Sequence, residues 1–181
     1  TIFRNLPRMR TSRWISVGRL DINTSGLLLL TNDGELANRM MHPSYGLERQ
    51  YMSRILGEVD EAMLARLRAG VELDDGQARF DELVPGGGSG ANRWFRVSLR
   101  EGRRREVRRL WESQGVRVSR LSRVRYGPVR LDRSLRPGRW RELRPEELAA
   151  VYRSVGLEPP TGSGREPREP RRRGRSRAAR R

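Results

Sequence analysis

The sequence predicts an α+β fold, a mixed, mainly antiparallel sheet with flanking helices. Two observations carry this prediction. Short apolar runs of strand length interleave irregularly with longer amphipathic stretches, without the regular strand-helix alternation of a doubly wound sheet. Residues 77–84 and 92–99 also flank the segment "PGGGSG", with Phe95, Val97 and Leu99 alternating inward as in a half-buried hairpin.

Each element has a local reason. Residues 15–17 and 26–30 are apolar and bounded by polar or glycine positions, and read as short buried strands. Asn32 and Glu35 have the spacing of a capping box, which predicts a helix over 33–41 that ends before Pro43. Residues 48–56 follow as a strand. Residues 60–68 read as a helix with Met63, Leu64 and Leu67 on one face and Gly70 as its stop. Residues 106–114 are helical by the spacing of Val107, Leu110 and Trp111, and 116–124 return to strand. A last helix begins near Pro145 and carries Leu148, Val151, Tyr152 and Val155. From Glu158 onward the chain is Pro, Gly, Ser, Glu and Arg with almost nothing to bury. Its organisation is therefore one folded domain over 1–157 and a disordered Arg-rich tail over 158–181.

Composition narrows the chemistry. The 181 residues carry 39 basic side chains, all Arg, against 22 acidic ones, for a net charge of +17. Arg forks match phosphate and stack on bases, so a phosphate-rich partner is favoured. Residues 165–181 hold nine Arg and two Glu. A second basic stretch, 100–125, holds ten Arg and three Glu mixed with apolar residues, so it reads as folded. There is no Cys, and His42 is the only His. That excludes a thiolate nucleophile, a Cys metal site and a His-based zinc centre or triad. Neither a signal peptide nor an apolar run of membrane length is present, so the cytoplasm is the expected location. The chain opens at Thr1 with "TIFRNLP", which reads as mid-domain sequence and implies a preceding N-terminal portion.

The candidate catalytic groups that remain are carboxylates, Tyr, Ser/Thr and Arg. Asp21, in "VGRLDINTSG", lies on a loop between two buried strands, beside Arg19. A loop fixed at both ends can position a side chain, and a neighbouring Arg favours an ionised carboxylate able to act as a nucleophile. The alternative is an Asp that merely starts an Asx turn. Arg104, Arg105, Arg108 and Arg109 on the third helix, with Arg120, Arg123 and Arg125 on the next strand, form a surface suited to an RNA backbone. The alternative there is a solvated Arg face. Tyr51 in "LERQY" reads structurally as a core aromatic, and His42 as a helix-end residue. The glycine run lacks the strand-to-helix setting of a nucleotide fingerprint.

Three blocks resemble the motifs of the RsuA/RluB-type pseudouridine synthases. "VGRLDINTSGLLLLTNDGELANRMMHPS" resembles the signature block, "ERQYMSRILG" the second motif and "EGRRREVRRLWESQGVRVSRLSRVRYG" the third. The resemblance runs from about residue 1 to 155. It implies the pseudouridine synthase catalytic fold, with Asp21 as nucleophile, Tyr51 against the target base, Arg108 as the basic partner of the Asp, and Arg19 holding the displaced RNA strand. It further implies isomerisation of a specific uridine in 23S, large-subunit rRNA, without metal, nucleotide or redox cofactor; a monomer is the expected state, although the residues themselves do not specify it. The opening strands of the sheet and the small S4-like domain usual in that branch are not found in this sequence. Two other readings stay open at this stage: a non-catalytic RNA-binding or ribosome-assembly protein on the same fold, and the sister branch acting on small-subunit rRNA.

Overall fold

The computed structural model describes residues 2–9, 12–90 and 92–160; most of the tail expected to be disordered, 161–181, lies outside them. Its elements are β1 (Ile15–Val17), β2 (Ser25–Gly26), β3 (Leu29–Thr31), α1 (Gly34–Met41), β4 (Arg49–Leu56), α2 (Glu61–Ala69), β5 (Val71–Leu73) and β6 (Gly76–Ala78). They continue with β7 (Glu82–Gly87), β8 (Asn92–Leu99), α3 (Glu106–Glu112), β9 (Arg117–Tyr126), β10 (Val129–Arg130) and α4 (Pro145–Ser154). The main sheet has the order β10-β9-β4-β8-β7, all antiparallel, with β2 added parallel to β9. The expected α+β class and mixed, mainly antiparallel sheet are therefore what the chain forms.

Register divides this sheet into two faces of different chemistry. Tyr51, Ser53 and Ile55 stand opposite Val97, Phe95 and Arg93 on one side, and opposite Arg123, Leu121 and Val118 on the other. This front face, with Leu83, joins the buried faces of α2 and α3 in a core centred on Trp111, whose ring lies 5.1 Å from Phe95 and 5.8 Å from Phe80. A second core joins β1, β3, α1 and α4 to Tyr126 and Val129. The loop between Val17 and Leu27 is anchored at both ends in this second core, because both residues are buried there.

Three expectations need correction. The strand expected over 26–30 is split. Ser25 and Gly26 pair parallel with Ser122 and Arg123, after which the chain crosses to pair antiparallel with β1. Only glycine permits that approach: Gly26 has φ +102, and a Cβ there would lie 2.2 Å from the Arg123 carbonyl oxygen. The strand expected over 77–84 is also broken, since β6 folds back on β5 and the chain rejoins the sheet at Glu82. Between them Phe80 turns into the core, its N–H donating to the Leu67 carbonyl at the end of α2. Finally, the cap of α1 is Asp33 rather than Asn32. The Asp33 carboxylate accepts from Leu36 N–H at 3.0 Å, while Glu35 pairs with Arg39 instead of reaching back.

Candidate active site

A cleft of about 590 Å³ opens on the front of the sheet, walled by the 18–24 loop, the start of β4 and the 99–107 segment. That volume lies within the range of small-molecule sites, roughly 300–1,000 Å³. Asp21, Tyr51 and Arg123 all line it, as do Arg19, Arg104 and Arg105 at its basic side. Asp21 begins a turn closed by Thr24 N–H donating to the Asp21 carbonyl at 2.8 Å. Its side chain is half-buried at the wall.

Two buried guanidiniums hold this turn by its backbone. Arg108, 6% exposed, donates from Nη2 to the Asn23 carbonyl at 2.6 Å and from Nη1 to the Val118 carbonyl at 2.8 Å. Arg123, 3% exposed, donates from Nε to the Leu27 carbonyl at 2.9 Å and from Nη1 to the Arg19 carbonyl at 3.5 Å. The turn is thus gripped two residues before and two residues after Asp21. Among the described residues no Arg nitrogen lies within 4.0 Å of the Asp21 carboxylate. Arg108 acts on Asp21 through the backbone and through its charge. Burial pushes the Arg108 guanidinium below the usual range and nearby Arg105 adds to this, while the charges of Glu112 and Asp21 oppose it.

Tyr51 sits on β4 opposite Arg123, so the ring and the gripping guanidinium share the front face. Behind them lies a stack that the sequence did not announce. Tyr126 is flanked by two cations, with Arg49 Cζ at 4.8 Å and Arg123 Cζ at 5.0 Å from its ring centroid. Its hydroxyl donates to the Met40 carbonyl at 3.0 Å and accepts from Arg49 Nη2 at 3.0 Å. Arg49 also donates from Nη1 to the Arg100 carbonyl at 2.7 Å. Each guanidinium therefore gains a ring face as well as hydrogen bonds, and the β4 strand, the 100–102 turn and the Asp21 loop become one rigid unit. Glu106 completes the wall. It is 4% exposed, accepts from Arg103 N–H at 3.0 Å, and is raised above the usual carboxylate range chiefly by burial. Arg49 and Glu106 were present in the quoted motifs, but their roles depend on partners about 50 residues away in one case and on burial in the other.

The seven arginines expected to meet RNA separate into three groups. Arg19, Arg104 and Arg105 line the cleft. Arg105 does so from a left-handed backbone, φ 52, and it is the only described non-glycine with positive φ. Arg109 is held in a two-pronged pair with Asp75, 2.8 Å on each side, and Arg123 is buried as a structural grip. Arg120 and Arg125 stand opposite Arg54 and Gln50 and so lie on the back of the sheet, away from the cleft.

The cleft thus brings together an acidic side chain on a doubly gripped turn, an aromatic ring and a rim of arginines. The model of the RNA pseudouridylate synthase family matches residues 1–113, and the chain belongs to that family. It is 60% identical over 157 residues to ribosomal large subunit pseudouridine synthase B of Haemophilus influenzae, covering 87% of this chain and 44% of that protein. It is 54% identical over 163 residues to the synthase B of Escherichia coli K12, covering 90% of this chain and 56% of that protein. A crystal structure of a pseudouridylate synthase superposes with a TM-score of 0.73 at 29% identity, covering 83% of this chain and 65% of that one. The chain spans about half the length of the curated relatives it matches.

Proposed function

We propose that this chain isomerises a specific uridine to pseudouridine in 23S, large-subunit rRNA, in the cytoplasm and as a monomer. The observation that carries the reading is the Asp21 turn, gripped by Arg108 and Arg123 within a cleft that also presents Tyr51.

The chemistry follows from the bonds that change. The target base lies within a folded RNA, so its nucleotide must first swing out into the cleft. The Asp21 carboxylate acts as the nucleophile: it forms a transient bond to the target nucleotide as the bond between uracil N1 and C1′ of the sugar breaks, and that transient bond breaks again before the product leaves. The freed uracil rotates, its C5 bonds to C1′, and the C5 proton leaves while N1 takes one up. Product and substrate contain the same atoms, so the step needs neither an oxidant nor a group donor. Tyr51 packs beside the base, and Arg108 with Arg123 keep the carboxylate aimed. Arg19, Arg104 and Arg105 meet the phosphates around the extruded nucleotide.

The test is tritium release from large-subunit rRNA labelled at uracil C5, with this chain and with Asp21→Asn. Release by the parent and a loss of about 10³-fold or more in the variant, with RNA binding kept, is expected. Equal release by both defeats the role of Asp21. Binding without release by the parent would identify a non-catalytic RNA-binding protein built on the same fold.

A further inference from the structure

The back of the sheet carries a second group of arginines that the cleft does not use. Register places Arg54, Trp94 and Arg120 in one row across β4, β8 and β9, with Leu56 and Arg117 in the next. Arg54 Cζ lies 6.0 Å from the Trp94 ring centroid, and its Nε donates to Ser119 Oγ at 2.9 Å. Met52 stands one row further along, opposite Arg96 and Ser122, and Leu56 is 41% exposed. The buried faces of all four helices belong to the two cores described above. Among the described residues none of them covers this surface.

Its charge is not internally balanced. Its acids lie toward one end, where Glu82 accepts from Arg96 and from Gln50, each at 3.2 Å, and Glu48 pairs with Arg125 at 3.3 Å. Arg54, Arg117 and Arg120 have no carboxylate within 4.0 Å among the described residues. A protein partner would meet an apolar, charge-poor centre. Here the centre is an indole ring with cations beside it, which is the arrangement that takes a stacked base together with its phosphates.

We infer that the back of the sheet is a second RNA-binding surface, with Trp94 stacking a base and Arg54, Arg117 and Arg120 meeting the flanking phosphates. The inference rests on the reading that the chain acts on RNA. It separates two tasks: the front face takes the nucleotide to be changed, and the back face takes a distant stretch of the same large RNA. A strand is held there without regard to its sequence, because every base offers a ring face.

The experiment measures the affinity of the chain for a large-subunit rRNA fragment between 50 and 300 mM salt (roughly the range over which counterion release dominates). Arg54→Gln/Arg117→Gln removes two phosphate contacts, so the slope of log affinity against log salt should flatten by about 1.4. Trp94→Leu should weaken binding roughly fivefold or more with the slope unchanged. Slopes and affinities equal to the parent's in both variants overturn the proposal. Should Trp94→Leu fail to fold, the Arg pair decides alone. Tritium release by the parent is followed alongside. Release with unaltered slopes defeats this surface and leaves the catalytic reading standing, whereas binding with altered slopes and no release does the reverse.

Discussion

Arg108 reaches the Asp21 turn through the Asn23 carbonyl, and Arg123 reaches it through the Arg19 carbonyl. A guanidinium can bridge two carbonyls at once because its donors form a rigid fork, which a lysine ammonium lacks. Arg108→Lys is therefore expected to free one side of the turn while keeping the positive charge. If Asp21 is the nucleophile as proposed, a displacement of about 1 Å there costs roughly a hundredfold in rate, so kcat should fall by about that factor with KM little changed. Steady-state kinetics on the rRNA substrate checks this; a raised KM at unchanged kcat would place Arg108 on the RNA instead of on the turn. Part of this arrangement was legible in the sequence. Asp21 between two apolar runs announced a held loop, and the motif resemblance singled out Tyr51 and Arg108. The grip itself was not, because Arg108 and Asn23 are 85 positions apart and Arg123 looks like one more surface cation in an Arg-rich strand. Nothing local to residue 123 tells a buried arginine from an exposed one. That difference arises only when β2 lies parallel against β9.

The second core depends on how α4 is tied down. Its Glu147 accepts the Arg144 backbone N–H at 2.9 Å and meets Arg141 at 2.7 and 2.8 Å, and the Arg141 bond is the main reason its carboxyl sits at about 2. At the other side of the same helix, the Tyr152 hydroxyl donates to Asp33 at 2.8 Å, so the side chain that caps α1 also anchors α4. Burial first, and that bond second, raise Tyr152 to about 12. The two groups set opposite limits. Glu147 is held below its ordinary 4.5, so its contribution is complete above about that pH and is lost as pH falls toward about 2. Tyr152 is held above its ordinary 10.0, so its contribution is complete below that and is lost as pH rises through about 12. Glu147→Gln should cost on the order of 1 kcal/mol at neutral pH, and the gap to the parent should close between about pH 4.5 and 2. Urea unfolding at several pH values measures it; a gap independent of pH would remove the ion pairs from the explanation. At this scale the sequence was a good guide to which elements exist and a poorer one to their ends. The α1 cap moved by one residue because Asp33 could serve both Leu36 and Tyr152, and no local spacing reveals the second of those partners.

Taken as a whole, the molecule is a sheet with a cleft on one face and a row of arginines on the other, in a chain whose 39 arginines outnumber its acids by a wide margin. Many of those arginines are spent on structure: Arg49, Arg103, Arg108, Arg109 and Arg123 all hold carbonyls or carboxylates within the fold. The positive charge available to RNA is therefore smaller within the folded part than the sequence total suggests, and the nine arginines of 165–181 weigh correspondingly more. Charge in a segment of that composition acts by displacing counterions from phosphates, without reference to base sequence. On the proposed reading, choice of uridine belongs instead to the cleft that Asp21 and Tyr51 line. Deleting residues 165–181 should thus weaken rRNA binding mainly at low salt, with the curves for the shortened and parent chains converging as salt rises and screening shortens every such attraction. Binding isotherms across a salt series test the first half, and mapping of the modified position tests the second. The same uridine should be modified with and without the tail, because removing a sequence-blind attraction changes how often the cleft is reached and not which nucleotide fits it. A new target uridine in the shortened chain would mean that the tail reads the RNA, and would move part of the specificity out of the cleft.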